Sequence, residues 1–455
     1  MSSLSPGRLS RDALLTLIDH GDIDTVILAI TDMQGRLQGK RLDGRFFADE
    51  VVDQVVEGCG YVLASDVEMN TVDGFALTSW ERGYGDLVFR PDFATARTVS
   101  WHDKTAVIFA DVETTGGVAV AVSPRQILQR QVDRLAQHGW RGLCGTELEF
   151  IVFNDTYESA WTSGYRDLTP ANLYNVDYSL LGTSRIEPLL GRIRRAMRAS
   201  GMVVESLKGE CNFGQHEIAF RYAELVDKCD EHGLFKLGAK EIAAQEGCSL
   251  TFMAKFNERE GNSCHVHLSL RDEDDGAVFA GDGDHGFSQV FGHFLAGQLA
   301  YLREFSLLLA PNVNSYKRFV PGSFAPTALA WGLDNRTCAF RVVGHGPGLR
   351  VECRIPGGDV NPYLAVAAMV AAGLRGVEES LALPAPLTGN AYVADAPRVP
   401  TSLRDAADLL ETSAVARDAF SDDVVDHYVH AARVEVAAFD AAVTDWERYR
   451  GFERL

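Results

Sequence analysis

Within GTELEFIVF (145–153), Glu147 and Glu149 stand two apart in an otherwise apolar run. Side chains of a strand alternate between faces, so this spacing sends both carboxylates one way and Leu148 and Phe150 the other. Two like charges side by side repel unless a cation lies between them, although a solvated strand face accounts as well for a single pair. KGECNFGQHEIAF (208–220) adds Glu210 and Glu217 around a turn at Gly214. GNSCHVHLSL (261–270) adds His265 and His267 on one strand face, and RVECRIP (350–356) adds Glu352. A lone histidine among apolar neighbours is more often a hydrogen-bonded core residue. The set has more force, because each acid sits in an apolar strand where unpaired charge is costly. Five carboxylates and one imidazole suit hard divalent ions, Mg²⁺ or Mn²⁺, better than zinc. They suffice for two ions, the arrangement that clamps a phosphoryl group in transfer.

Cations crowd the same part of the chain. Arg318, Arg336, Arg341, Arg350 and Arg354 follow one another closely, several inside apolar strands such as AFRVV and VECRIP. Any one could be an exposed arginine, but beside an acid-rich set they read as clamps for phosphates and carboxylates. No phosphate-binding P-loop is present, because GRLQGKR (35–41) has the wrong spacing. GDGDHG (281–286) matches a dinucleotide pattern formally, but its aspartates would repel a pyrophosphate.

The elements that must position these groups are legible in outline. Residues 22–112 read as short strands and turns. Ser123-Pro124 then opens a helix with a stripe at Ile127, Leu128, Val132 and Leu135 that Gly139 stops. A boundary falls between 112 and 122, dividing the chain into 1–115 and 116–455. A second stripe (186, 189, 190, 193, 197) marks another helix, and long helices are expected over about 288–309, 361–380 and 424–448. Strand-like pieces are TELEFIVF, HEIAFRY, SLTFMAK, HVHLSL, AFRVVG and RVECRIP, while 383–400 reads as a surface excursion. The expected class is α+β, a small sheet-rich domain before a large one.

Composition bounds the partners. Hydrophobic content of 46% and charged content of 23% in 455 residues are ordinary for a folded protein. A net charge of −20 without any basic run argues against nucleic acid. The apolar run at 363–374 is too short and Ala-rich to span a bilayer, and the N-terminal stretch lacks a signal-like core, so a cytoplasmic location is expected. Eight cysteines without a C-x-x-C pair are expected to be reduced and buried.

GTELEF, GECNFGQHEIAFR, GNSCHVHLSL, SYKRFVPGSFAP, DNRTCAFR and RVECRIPGGDVNPYLA resemble, in order, the motifs of the glutamine synthetase superfamily. The resemblance implies an N-terminal β-grasp domain and a catalytic domain with a curved antiparallel sheet. It also implies ATP-dependent ligation of glutamate to an amine through γ-glutamyl phosphate, and a dodecamer of two six-membered rings. Carried over residue by residue, it implies Glu149, Glu210 and Glu217 as ligands of a first Mg²⁺ or Mn²⁺, and Glu147, His265 and Glu352 as ligands of a second. It implies Arg318 and Arg354 as glutamate-carboxylate clamps with Gly261 receiving the α-amino group, and Arg336 at the transferring phosphoryl group. Tyr222, His267, Ser269, Arg341 and Arg350 would line the ATP site. As catalytic residues the resemblance thus marks Arg336, Arg318 and Glu352.

Two departures bear on the amine. Ammonia-using members carry an acid in a VPGYEAP-like flap, where this chain has VPGSFAP, so Ser323 and Phe324 replace Tyr and Glu. Their DGSS-like stretch has no counterpart in YVLASDVEMNT (61–71), where Asp66 is the available substitute. An alkylamine brings carbon that prefers an apolar wall, whereas ammonium needs acids. This pattern is similar to the γ-glutamylethanolamide and γ-glutamylpolyamine synthetases, with ethanolamine favoured and a polyamine next. An ammonia-using glutamine synthetase and a non-catalytic scaffold are the other readings. The missing flap acid opposes the first, and retention of the ligand and clamp positions opposes the second.

Overall fold

The structure, a computed structural model, describes residues 6–455. Two sheets organise it. The first contains β1 (Thr25–Thr31), β2 (Leu37–Asp43), β3 (Val56–Cys59), β4 (Asp86–Pro91), β5 (Arg97–Thr98) and β6 (Thr105–Thr114), in the order β2-β1-β6-β4-β3 with β5 on β6. TVILAIT and TAVIFADVET are almost continuously apolar because β1 and β6 lie side by side, parallel, at the centre of this sheet. β2, with Lys40 and Arg41, is the exposed edge.

The second sheet is built from β7 (Trp140–Phe153), β8 (Val204–Gly209), β9 (Gln215–Phe220), β10 (Ala223–Glu224), β11 (Ser249–Thr251), β12 (Cys264–Asp272), β13 (Trp331–Leu333), β14 (Phe340–Val343) and β15 (Arg350–Cys353). Its path is β13-β14-β15-β12-β7-β9-β8, with β10 and β11 pairing β7. Every pair is antiparallel except β13 with β14, one departure from the expected antiparallel sheet.

Helices close the back of this sheet. Pro362–Glu378 is buried along nearly its whole length, which is why its sequence is Ala- and Val-rich without polar periodicity. It crosses Gln289–Tyr301 where Gly297 meets Gly376. A Cβ on Gly297 would stand 2.2 Å from the Ala372 carbonyl oxygen, so the two backbones touch. The helix expected after Ser123-Pro124 runs Pro124–Gln137, and Gly139 follows it at φ +72. The expected helix over 288–309 breaks into Gln289–Tyr301 and Ser306–Leu309. That over 424–448 becomes Asp422–Ala441 and Asp445–Gly451, because Thr444 and Glu447 form a capping box that starts a new helix. The cysteines are all free, but Cys59, Cys211 and Cys248 are only half-buried, a correction to the expectation that all are interior. Among the described residues no helix is long and apolar enough to cross a membrane.

The turn after β1 is bolted to the start of the helix Pro362–Glu378 through its capping residue Asn361, whose Nδ2 donates to the carbonyls of Asp32 and Met33 at 3.3 and 3.1 Å. His427 on the helix Asp422–Ala441 likewise donates from Nε2 to Leu63 O at 2.8 Å. His216 on β9 faces Asn172 Oδ1 at 3.0 Å. Burial pushes both imidazoles down to about 4. The folded state therefore refuses a proton that the unfolded chain accepts below about 6.5, so stability is lost as pH falls from about 6.5 towards 4. At pH 5 each histidine is expected to cost about 2 kcal/mol relative to pH 7. Chemical denaturation at the two pH values checks this, and His427→Gln should flatten the dependence.

Candidate active site

Strand alternation and register bring the acids together. Glu149 on β7 lies directly opposite Glu217 on β9, Glu147 opposite His265 on β12, and His267 opposite Glu352 on β15. Glu210 joins from the turn between β8 and β9. One oxygen from each of Glu149, Glu210 and Glu217 falls within a 4.8 Å cluster, and so does one ligand atom from each of Glu147, His267 and Glu352.

The electrostatics of this row fit divalent cations. Burial, reinforced by Glu147, pushes the Glu217 carboxyl up to about 8, since the site holds more negative charge than its arginines and lysine offset. At Glu147 burial works the same way, but hydrogen bonds from His265 and His267 outweigh it and hold the carboxyl well below its usual range. Glu352 is also lowered: burial opposes, and His265 and Arg354 prevail. Buried carboxylates sharing one spot are the donor set that hard cations neutralise.

Both imidazoles reach the second cluster. His267 Nε2 stands 3.0 Å from Glu147 Oε1, while its Nδ1 accepts a hydrogen bond from Arg350 Nε at 3.2 Å. An imidazole that accepts at Nδ1 carries its proton on Nε2 and has no lone pair there for a metal. His265 Nδ1 lies 3.5 Å from both Glu147 Oε2 and Glu352 Oε1, midway between two carboxylates. It is the better-placed donor, with His267 as a bridge from Arg350 to Glu147.

The arginines close the cleft opposite. Glu352 receives Arg341 Nη1 at 2.9 Å and Arg354 Nη1 at 2.5 Å, so one buried carboxylate orients two guanidinium groups. Arg354 Nε is buried without a partner. Arg336 is half exposed and lines the cleft with Arg341, Arg354, Gly261, Ser323 and Phe324. Arg318 sits beneath it, where its Nη1 donates to Ile355 O at 2.8 Å and its Nη2 to Ser263 Oγ at 2.8 Å and Arg354 O at 3.1 Å. Burial pulls its guanidinium down to about 10. A second cavity, lined by Tyr222, His267, Ser269 and Arg350, shares Glu147, Glu205 and Ala219 with the first, so the two are adjacent.

Asp66 is not brought to the cleft. It lies in the loop after β3, and its carboxylate accepts the Glu68 and Asn70 backbone N–H groups at 2.9 and 2.8 Å and Asn70 Nδ2 at 2.9 Å. Within one chain this carboxylate is committed to its own loop and does not line the cleft. Conversely, the cleft carries groups absent from the sequence-based set: Asp177, Tyr178, Lys208 and Glu260. Lys208, ion-paired with Glu210, was detectable from its spacing of two from that residue. Asp177 and Tyr178 lie in an irregular segment with no periodicity to betray them. Phe324 and Tyr178 are 55% and 73% exposed at the cleft, both at positive φ (59° and 54°). Aromatic residues in the left-handed region are strained, a state that persists where surrounding structure enforces it.

Three buried and two half-buried acids facing arginines across a mostly antiparallel sheet, beside a second cavity, are the arrangement that the resemblance to the glutamine synthetase class implies. The chain belongs to that family: its description "Glutamine synthetase, catalytic domain" matches residues 121–450. The chain is 64% identical over 447 residues to the γ-glutamylethanolamide synthetase of Streptomyces coelicolor, covering 98% of this chain and 96% of that one. It is 36% identical to the glutamate–isopropylamine ligase of a Pseudomonas species, over 95% and 96% of the two chains. A solved structure described as a GmaS/ADP complex superposes with a TM-score of 0.85 at 27% identity, covering 97% of this chain and 99% of that one.

Proposed function

We propose that this protein is an ATP-dependent ligase that joins the γ-carboxyl of glutamate to an organic amine, ethanolamine first and a polyamine next. The observation that carries the reading is the pairing of an intact acid-and-arginine cleft with Phe324 where ammonia-using relatives have an acid. The 64% identity to a γ-glutamylethanolamide synthetase supports the choice of amine.

The chemistry divides into two displacements. A γ-carboxylate oxygen of glutamate attacks the γ-phosphorus of ATP, the bond to ADP breaks, and γ-glutamyl phosphate forms. The amine, having shed a proton from its ammonium form to solvent, attacks the acyl carbon through nitrogen, phosphate leaves, and the nitrogen releases a second proton to give the neutral amide. Divalent cations held by Glu149, Glu210 and Glu217 and by Glu147, His265 and Glu352 would neutralise the phosphates and polarise the transferred group. Arg354, oriented by Glu352, clamps the glutamate α-carboxylate, with Arg318 packed behind as its support. Arg336, on the irregular stretch before β14, is free to meet the phosphoryl oxygens, where fixed positive charge lowers the barrier most. Arg341 and Arg350 grip the nucleotide beside Tyr222 and Ser269. Phe324 and Tyr178 supply the carbon-facing wall, and Asp177 and Glu260 keep the cleft anionic enough to draw an organic ammonium in. The same resemblance supports an assembly of two stacked hexameric rings with sites between subunits, readable as mass in solution.

Phosphate release from ATP with glutamate and Mg²⁺ tests the proposal across ammonia, ethanolamine, putrescine, spermidine and isopropylamine. Turnover with ethanolamine and little or none with ammonia is expected. Turnover with ammonia alone would make the protein a glutamine synthetase, and none with any amine would remove the ligase reading.

A further inference from the structure

We infer that Gln215 is a positioning residue that couples the Glu149–Glu210–Glu217 carboxylates to the loop expected to receive the glutamate α-amino group. This rests on the cation and glutamate roles proposed above. The Gln215 side chain is 1% exposed. Its Nε2 lies 3.0 Å from Glu149 Oε2, 2.9 Å from Gly261 O and 3.0 Å from Asn262 Oδ1, and its Oε1 accepts from Asn212 N at 2.9 Å. Two N–H bonds therefore serve three acceptors, one of them charged. The same Glu149 oxygen also accepts the Ser263 backbone N–H at 2.8 Å. Residues 261–263 are thus tied to one carboxylate oxygen at both ends, directly through Ser263 and through the Gln215 amide to Gly261, beside the bonds that join Asn262 to Thr251, Met253 and Ala254. Asn212, fully buried beside Glu210, adds a third tie by donating to Glu260 O at 2.6 Å.

This wiring has a thermodynamic consequence. A cation on the Glu149 cluster fixes that carboxylate, and with it the oxygen from which the loop is hung. The loop then has less freedom to lose when glutamate arrives, so each ligand tightens the other. Only an amide can do this here: a carboxylate at 215 has no N–H to give, and an apolar side chain has no polar hydrogen at all.

Mn²⁺ binding to the full chain, followed by electron paramagnetic resonance without ATP or amine, measures the coupling directly. Glutamate is expected to tighten Mn²⁺ binding to the wild-type chain roughly 10-fold. In Gln215→Met, and independently in Gln215→Glu, that factor should shrink to under about 2-fold. In turnover, glutamate KM should rise while ATP KM stays put. Coupling that survives in both variants would mean glutamate and cation communicate by direct contact, and the role assigned to Gln215 would be overturned. A measurement on the unaltered protein guards against misfolded variants. Mn²⁺ alone should slow hydrogen exchange at the Asn262 and Ser263 amides, and no slowing overturns the inference. No Mn²⁺ binding to the wild-type chain at all would overturn the cation reading itself, and this coupling with it.

Discussion

Glu149→Gln is expected to lower turnover by roughly 10³-fold or more while leaving a folded protein that binds one cation fewer. The replacement is nearly isosteric. An amide oxygen at the position of Oε2 can still accept from Ser263 N and Gln215 Nε2, now at 2.8 and 3.0 Å, so the loop need not collapse. What is lost is one of three negative charges that share a 4.8 Å cluster. The cation-free protein should respond in the opposite sense, becoming more stable. Burial, Glu147 and then Glu149 together hold the Glu217 carboxyl up near 8, and removing the Glu149 charge relieves part of that strain. The sign of the pH dependence follows. Glu217 keeps a proton in the folded state that the unfolded chain sheds near pH 4.5, so the cation-free protein loses stability as pH rises from there through about 8. Glu149→Gln should flatten that slope, and Mg²⁺ should stabilise the wild-type chain more at pH 8 than at pH 6. Thermal unfolding with and without chelator, beside Mn²⁺ counting and phosphate release, reads all three. A variant that keeps near-normal turnover would remove Glu149 from the cation site; a variant less stable than wild type without cations would contradict the charge-crowding account.

Much of this site was legible because strands alternate. Glu147 with Glu149 and His265 with His267 announce a shared face by a spacing of two, and the antiparallel register then sets those faces side by side. The long helix Leu225–Gln245 was illegible for the converse reason. It buries Lys228, Asp230, Glu231 and His232 along with its apolar residues, so no stripe marks it. Lys228 pairs with Glu231 one turn on, but the acids draw on partners far away in the chain: Arg8 pairs with Glu231 and with Asp227, and Arg125 with Asp230. Partnership over such separations leaves no local trace. Asp66 is a different case: within one chain its carboxylate serves its own loop, accepting the Glu68 and Asn70 backbone N–H groups, which residue type alone does not announce. Arg318 shows the limit of residue type as a guide to role. Arg318 and Arg354 are alike in burial, at 2% and 4% exposed, but Arg318 spends three hydrogen bonds on Ile355 O, Ser263 Oγ and Arg354 O, a commitment its charge alone does not announce.

Phe324→Glu is expected to lower kcat/KM for ethanolamine by about 10- to 100-fold and to raise ammonia turnover from near background, reversing the preference. The backbone does not confound the comparison. Residue 324 sits at φ 59°, which strains glutamate as it strains phenylalanine, so the flap keeps its course while its face changes. The flap is also fixed independently of this side chain, by Ser323 Oγ donating to Val320 O at 2.6 Å and by the Phe324 carbonyl facing Arg354 Nη2 at 3.4 Å. Against an alkylamine the phenyl ring removes carbon from water, worth about 0.8 kcal/mol for each methylene covered, and ethanolamine offers two. Against ammonium it offers nothing, because a carbon-free cation gains only from charge and hydrogen bonds. A carboxylate at 324 inverts both terms, attracting NH₄⁺ and exposing the methylenes. Phe324→Ala separates the two contributions: it should weaken ethanolamine without rescuing ammonia, since it removes the wall and adds no acid. If Phe324→Glu and Phe324→Ala both leave the ethanolamine-to-ammonia ratio where it stands in the wild type, selectivity resides elsewhere on the cleft. Tyr178, the other strained aromatic at its mouth, would then be the residue to change next.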